Sequence, residues 1–158
     1  MKKKLLFVLL ISACLLTIVG CGKKEEKKEE KKEDSYKIEF AGVNITPGET
    51  LDIKKINKEY DKSEVPDCAL GGKGLVYTFE ELEISTNEEN KIYSVYFIDP
   101  NMKTKEGIAL GDEVSAVKKA YGDKEIKDGV LKYSKGKVEI NFNISNDVVD
   151  SIEYLLLS

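Results

Sequence analysis

The residue types that most often do chemistry in proteins are scarce in this sequence of 158 residues. It contains no histidine and no tryptophan, and all 25 basic residues are lysine, so arginine is missing as well. The commonest general base and transition-metal ligand near neutral pH is therefore unavailable. The bidentate guanidinium clamp for carboxylates and phosphates is unavailable too. Cysteine, carboxylate and tyrosine side chains remain as the candidates.

The carboxylates form no pattern that is typical of a catalytic or metal site. Glu80, Glu81 and Glu83 lie at a predicted strand boundary, where neighbouring side chains point to opposite faces and do not converge. A second group of polar side chains could in principle supply oxygen ligands for calcium. Its members are Asn141, Asn143, Asn146, Asp147 and Asp150. Their spacing favours a polar sheet face followed by a turn. We assign no catalytic residue, no metal ligand and no cofactor other than a covalent lipid.

That lipid is predicted on Cys21. Residues 16–20 (Leu-Thr-Ile-Val-Gly) form a lipobox, the pattern at which a secreted chain is lipidated on the following cysteine and cleaved before it. Residues 2–4 are basic, and the apolar stretch after them has about 15 residues, short of the roughly 20 needed to span a bilayer. We interpret residues 1–20 as a lipoprotein signal peptide and not as an uncleaved anchor. The lipid would hold the chain at the extracytoplasmic face of the cell membrane.

The two other cysteines differ in fate. Cys14 leaves with the signal peptide, so Cys68 has no partner for an intramolecular disulfide. Cys68 is either a small apolar residue in the core or under a loop, or a reactive or partner-linked thiol. Both interpretations stay open, and Cys68 is retained as a candidate interaction residue.

Residues 21–34 are predicted to be the lipidated cysteine followed by a disordered tether. After Cys21 the segment reads GKKEEKKEEKKED, with six lysines and six acids. Residues four apart carry like charges, which destabilises a helix. A coil of this length spans about 20 Å, enough to hold a small domain above lipid headgroups.

Residues 35–158 have the length of one domain. They carry 16 lysines and 23 acids, a net charge of −7. An acidic domain without arginine lacks the electrostatic footprint of a nucleic-acid-binding protein. We therefore expect no nucleic-acid partner.

The first half of this domain, residues 35–100, reads as a strand, a helix and three further strands. The alternating segment 36–40 predicts a strand, and Thr50 is the expected N-cap of a helix over residues 51–61. The apolar stripe of that helix is Leu51, Ile53, Ile56 and Tyr60. A loop over 66–74 and strands over 75–79, 82–86 and 92–98 follow.

The second half, residues 101–158, repeats this order. Gly111 follows Gly48 by 63 residues, and Tyr121 follows Tyr60 by 61. A helix with Val114 and Val117 facing inward precedes strands over 130–133, 138–144 and 148–157. We therefore predict an α+β fold in which tandem helix-plus-three-strand repeats form one twisted antiparallel sheet with two helices on one face.

A lipobox followed by this tandem resembles the β-lactamase inhibitor protein-like architecture. The segment 104–112, with Val117, Tyr121 and Gly122 after it, is similar to uncharacterised Gram-positive (Firmicutes-type) lipoproteins. In these, a cysteine-containing loop, here residues 68–74, precedes a Tyr-x-Phe strand, here Tyr77 and Phe79. The resemblance covers nearly all of residues 35–158. It implies a fold, but no activity and no site residues.

The strand tyrosines are the remaining candidates for a site. Tyr77, Tyr93, Tyr96 and Tyr133 either pack in the core or crowd the face away from the helices as an exposed aromatic patch typical of protein-binding surfaces. We expect a non-enzymatic module that binds an envelope or secreted protein. The alternative is a small-ligand or cation sensor that uses the 68–74 loop or the acidic turns.

Overall fold

Nine β-strands, one α-helix and one 3-10 turn form the described part of the chain, residues 34–67 and 72–158 of a computed structural model. The strands, β1 to β9 in chain order, are Ile38–Phe40, Val43–Ile45, Asp61–Asp67, Gly72–Thr78, Leu82–Asn87, Ile92–Phe97, Val130–Lys135, Val138–Ser145 and Val148–Leu156. The helix, α1, is Val114–Tyr121, and the 3-10 turn is Ile53–Lys55.

Several of the sequence predictions concern residues outside this part of the chain. They are the signal peptide over 1–20, the lipidated Cys21, the tether up to residue 33, and Cys68. They stay predictions. Within the described residues, no helix combines the length and the apolar character that crossing a membrane requires.

Seven strands form one antiparallel sheet in the order β3-β4-β5-β6-β9-β8-β7. Strands β4 to β6 and β7 to β9 are two meanders whose last strands pair with each other, with Val95 opposite Tyr154. The pairing produces a row of apolar residues across one face: Tyr77, Ile84, Val95, Tyr154, Ile140 and Tyr133. Alternate residues of a strand share a face, so this row marks the side called the covered face.

The β1–β2 hairpin and α1 pack on the covered face. Phe40 of β1 contacts Phe79 with ring centroids 5.0 Å apart, and Tyr121 of α1 contacts Phe142 at 5.1 Å. Val117 lies one helical turn before Tyr121 and is fully buried. Complete burial of a valine side chain contributes about 1.5–3 kcal/mol to the free energy of unfolding. The core therefore lies between the sheet and this single layer.

The predicted α+β fold with two helices on one face is wrong. The described chain is mostly β-structure with one helix, because the helix predicted over 51–61 is only the 3-10 turn followed by extended backbone. Asp52, at the N-cap of that turn, makes no side-chain capping hydrogen bond, and Tyr60 at the end of the predicted stripe is 42% exposed. The β-branched Ile53 and Ile56 are weak helix formers.

The segment after Tyr60 is stabilised more by backbone hydrogen bonds to β4 than it would be by helix formation. Residues 61–67 pair with β4 along their whole length as the edge strand β3. Both ends of the loop predicted over 66–74 are strand instead, because Pro66 and Asp67 lie within β3 and Gly72 to Gly74 lie within β4. Pro66 is tolerated because β3 is an edge strand, where a missing N–H can face away from the sheet.

The two turns that precede the meanders make matching hydrogen bonds. The amide of Gly48 donates to the carbonyl of Ile92 at 2.8 Å, and the amide of Gly111 donates to the carbonyl of Val149 at 2.8 Å. The φ angles are +95° at Gly48 and +83° at Gly111, a region that favours glycine. Equivalent bonds run back from the strands to the turns: Ile92 N to Glu49 O at 3.0 Å, and Val149 N to Asp112 O at 2.8 Å.

Candidate functional site: the open face of the sheet

The side of the sheet opposite the covered face, here called the open face, carries mainly hydroxyl, amide and carboxylate groups. One of its rows is Ser63, Val76, Ser85, Ser94, Leu155, Glu139 and Ser134, and the next is Asp61, Thr78, Glu83, Tyr96, Glu153, Asn141 and Lys132. Among the described residues, the buried hydrophobic cluster includes none of these side chains. A largely polar second face is common in antiparallel sheets, although Val76, Ser85, Ser94 and Asn141 are only 7–9% exposed here.

Tyr96 is the large aromatic residue at the centre of the open face. It lies on β6, the middle strand of the seven, and it is 40% exposed. Its direct cross-strand neighbours are Glu83 on β5 and Glu153 on β9. Side chains at such positions are about 5 Å apart at Cβ and interact. The strand pairing therefore places an exposed aromatic ring between two carboxylates.

The two carboxylates differ in their surroundings. The Thr78 hydroxyl donates to Glu83 Oε2 at 3.3 Å. Glu153 has no hydrogen-bond or ion-pair partner among the described side chains, and burial raises the pKa of its carboxyl above the ordinary value. An unpaired, partly desolvated carboxylate is stabilised by an incoming cation. Glu153 is thus the acid on this face best prepared to receive one.

Several polar groups of the open face are engaged with one another, while the buried Asn141 Oδ1, opposite Glu153, has no hydrogen-bond partner among the described residues. Glu139 lies 3.6 Å from Lys132 Nζ and accepts a hydrogen bond from Ser134 Oγ at 3.4 Å. The Asn143 amide donates to Ser151 Oγ at 2.6 Å. The face therefore presents a hydrogen-bonded polar surface around the unpaired Glu153.

Tyr93 lies toward the β3 side of the same face and is half-buried. A Cβ added to Gly74 of β4 would stand 3.6 Å from the Tyr93 hydroxyl and 3.2 Å from Val65 Cγ2. The glycine thus leaves room for the tyrosine hydroxyl and the valine side chain to lie close to the β4 backbone.

The four predicted tyrosines do not form one patch. Tyr77 and Tyr133 are buried on the covered face, 4% and 3% exposed, while Tyr93 is half-buried and Tyr96 exposed. The Tyr133 hydroxyl donates to the Gly122 carbonyl at 2.7 Å, which fixes it in the core. Strand parity explains the division, because Tyr77 alternates with Val76 and Thr78 and shares its face with Ile84. Cys68 lies outside the described residues.

The predicted acidic groups are also separated. Glu81 forms an ion pair with Lys58 next to the β4–β5 turn, and Asn146 and Asp147 form the β8–β9 turn with positive φ. In residues 34–67 and 72–158 no three His, Cys, Asp or Glu side chains are grouped as they would be around a metal ion.

Sequence reasoning missed the pairing of Glu83 and Glu153 with Tyr96. The sequence places Glu83 at a strand boundary among carboxylates that do not converge, and it indicates no role for Glu153. Their polar positions within alternating strands indicate the outward face. What the sequence does not reveal is that β6 and β9, more than 50 residues apart, are neighbours.

Comparison with models of known protein families found no match. Comparisons with curated proteins and with solved structures found none either.

Proposed function

We propose that this protein is a lipid-anchored, extracytoplasmic binding module that uses the open face to hold a protein partner presenting lysine or arginine side chains. The observation that carries the proposal is the exposure of Tyr96 between Glu83 and Glu153. The lipobox before Cys21 supports the membrane location, and the absence of histidine and arginine from the sequence favours binding over catalysis.

An exposed tyrosine between carboxylates suits a cationic side chain. The cation lies over the ring and gains about 0.5–1 kcal/mol at an exposed site, rising to about 2 kcal/mol as water is excluded. A carboxylate on each side adds charge-assisted hydrogen bonds, which are about twice as strong as neutral ones. Aromatic anchors of this kind often dominate the free energy of protein–protein binding.

The surrounding residues favour a broad contact over a deep pocket. Ser85, Ser94 and Ser151 are only 7–8% exposed, so the contact surface is formed by the longer side chains around them. The serine hydroxyl groups both donate and accept hydrogen bonds. A polar surrounding with few apolar side chains resembles the outer part of a transient protein interface.

Site-specific photocrosslinking in intact cells tests the proposal. A benzoylphenylalanine residue in place of Tyr96 should form one discrete adduct with another protein. Tyr60, which is 42% exposed and lies outside the open face, is the matched control and should not form the adduct with this other protein. Glu153→Gln and Glu83→Gln, combined with the photocrosslinker at position 96, should each reduce the adduct several-fold.

Two outcomes would contradict the proposal. One is the absence of any protein adduct from position 96. The other is an adduct that is unchanged after both carboxylates are neutralised.

A further inference from the structure

Strand β3 is one of the two outer strands of the sheet, and no other described strand pairs with its outward side. Of its side chains Asp61 to Pro66, only Val65 is half-buried and the rest are exposed. The strand pairs with β4 along seven residues and has no second strand on its other side in the described part of the chain.

The opposite outer strand, β7, is partly covered on its outward side. Lys124 Nζ donates to the carbonyl of Lys132 at 2.8 Å, and the amides and carbonyls of Lys127 and Val130 bond to each other at 3.1 and 2.9 Å. Such covering is how proteins usually prevent an edge from pairing with another chain. No described residue bonds to the outward backbone of β3, which makes β3 the more open of the two edges.

The outward backbone groups of β3 follow from the register. The Phe79 amide donates to the Leu82 carbonyl across the β4–β5 turn. Backbone groups of successive residues in an antiparallel strand point to opposite neighbours, so Tyr77 and Leu75 bond to β5, while the residues between them bond to β3. Asp61, Ser63 and Val65 then bond to β4, while Lys62, Glu64 and Pro66 direct their backbone groups outward. Pro66, which lacks an N–H, thus occupies an outward position.

We propose that β3 pairs antiparallel with β3 of a second copy of this chain, with Ser63 on the two-fold axis. In this register Lys62 lies opposite Glu64 of the other copy, and Glu64 opposite its Lys62. The outward backbone groups of these two residues then bond across the interface. Asp61 lies opposite Val65, so no like charges face each other within residues 61–65. The result is a continuous fourteen-stranded sheet, built from two sheets of seven strands.

Charge selects this register over its neighbours. A shift by two residues in one direction places Lys62 opposite Lys62, and a shift in the other direction places Glu64 opposite Glu64. Like charges directly opposite each other destabilise a strand pair. A shift by one residue would place outward backbone groups opposite inward ones and break the hydrogen bonds. The existing contact between Lys73 Nζ and Glu64 is long, 3.5 Å, and exposed, so it competes weakly.

Disulfide trapping in intact cells tests the register with the full-length chain. Cys68→Ser removes the one cysteine of residues 35–158, and Ser63→Cys places one cysteine on the proposed axis. Opposed residues of a non-hydrogen-bonded antiparallel pair have Cα atoms about 4.5 Å apart, within the range of a disulfide. Mild oxidation should therefore yield a covalent dimer. Ser134→Cys on β7 is the matched control and should remain monomeric.

A second experiment exchanges the charges of Lys62 and Glu64. In the Ser63→Cys background, Lys62→Glu and Glu64→Lys should each lower the cross-linked fraction about tenfold, because each creates two like-charged pairs. The double variant Lys62→Glu with Glu64→Lys should restore it. Failure of Ser63→Cys to cross-link, equal cross-linking by Ser134→Cys, or no rescue by the double variant would overturn the proposal.

This inference does not depend on the proposed function, and the two can fail separately. A disulfide-linked dimer has twice the mass of the chain, whereas the photocrosslink at position 96 joins the chain to a different protein. If the lipid anchor is present, confinement to a membrane raises the effective concentration of the two copies.

Discussion

At the scale of single residues, burial of the ionised Glu153 carboxylate destabilises the folded protein. Its carboxyl is half-buried on the open face, and burial raises its pKa. The folded state therefore binds this proton more tightly than the unfolded state does. Stability from this group is fully present below the ordinary carboxyl pKa of 4.5 and is lost as the pH rises through the raised value in the folded protein.

We therefore expect Glu153→Gln to raise the thermal midpoint at pH 7 by about 2 °C. The gain should vanish near pH 4, where the wild-type carboxyl is protonated. Thermal melts of both proteins from pH 4 to pH 8 measure it. Glu139→Gln is the control, because Lys132 and Ser134 already compensate that carboxylate. A Glu153→Gln variant that is less stable at pH 7 would contradict this account of the site.

The same residue links partner binding to pH. A bound lysine or arginine favours the ionised form of Glu153 and so lowers its pKa. The photocrosslink from position 96 should therefore weaken as the pH falls through the raised pKa of Glu153, and the pH dependence should flatten in Glu153→Gln. A pH dependence that is identical in the two proteins would assign the effect to another group.

At the scale of elements, the two turns before the meanders are equivalent in backbone but not in surroundings. Gly48 and Gly111 both have positive φ and both bond to a distant strand. A Cβ at Gly48 would lie 3.0 Å from Leu156 Cδ1, whereas nothing lies within 4 Å of a Cβ at Gly111. The first turn is packed against β9, and the second has open space at this position.

Alanine at either glycine should destabilise the fold, because a side chain at positive φ costs about 1 kcal/mol. Gly48→Ala should cost more than Gly111→Ala, since the leucine methyl must also move. Urea unfolding of the two variants measures the difference. Combining Gly48→Ala with Leu156→Ala should remove the extra cost at Gly48 and leave the shared backbone cost. Equal destabilisation by both single substitutions would show that the contact with Leu156 is unimportant.

At the scale of the whole molecule, one sheet has two unlike faces. The covered face holds the core under the β1–β2 hairpin and α1, while the open face presents Tyr96, Glu83 and Glu153. A lipid on Cys21 would confine this surface to the vicinity of the membrane. The acidic face and the edge β3 would then serve different partners, a basic protein and a second copy.

Anchoring predicts the behaviour of one variant. Cys21→Ser should abolish labelling of the protein by fatty acid and move it out of the lipid-modified membrane fraction, because the thiol is the acceptor of the lipid. Mass spectrometry of the wild-type protein should show a mature chain that begins at Cys21. Recovery of residues 1–20 on the wild-type chain would rule out the anchor. Cys68→Ser is the control and should label normally.

The sequence by itself was sufficient for most of the strands and for α1. The strands found at Leu82–Asn87, Ile92–Phe97 and Val138–Ser145 match the predicted ones closely, since alternation of apolar and polar residues is a local property. The lack of histidine and arginine, and the pattern that predicts lipidation of Cys21, are likewise visible without a fold.

Tertiary structure alone decided the fate of residues 51–67, because a weak apolar stripe is compatible with a helix until β4 offers a ladder of backbone hydrogen bonds. It also decided the site. Glu83, Tyr96 and Glu153 become neighbours only because β6 and β9 close the two meanders into one sheet. Pairing between strands so far apart depends on the packing of the whole core, and no short-range pattern encodes it.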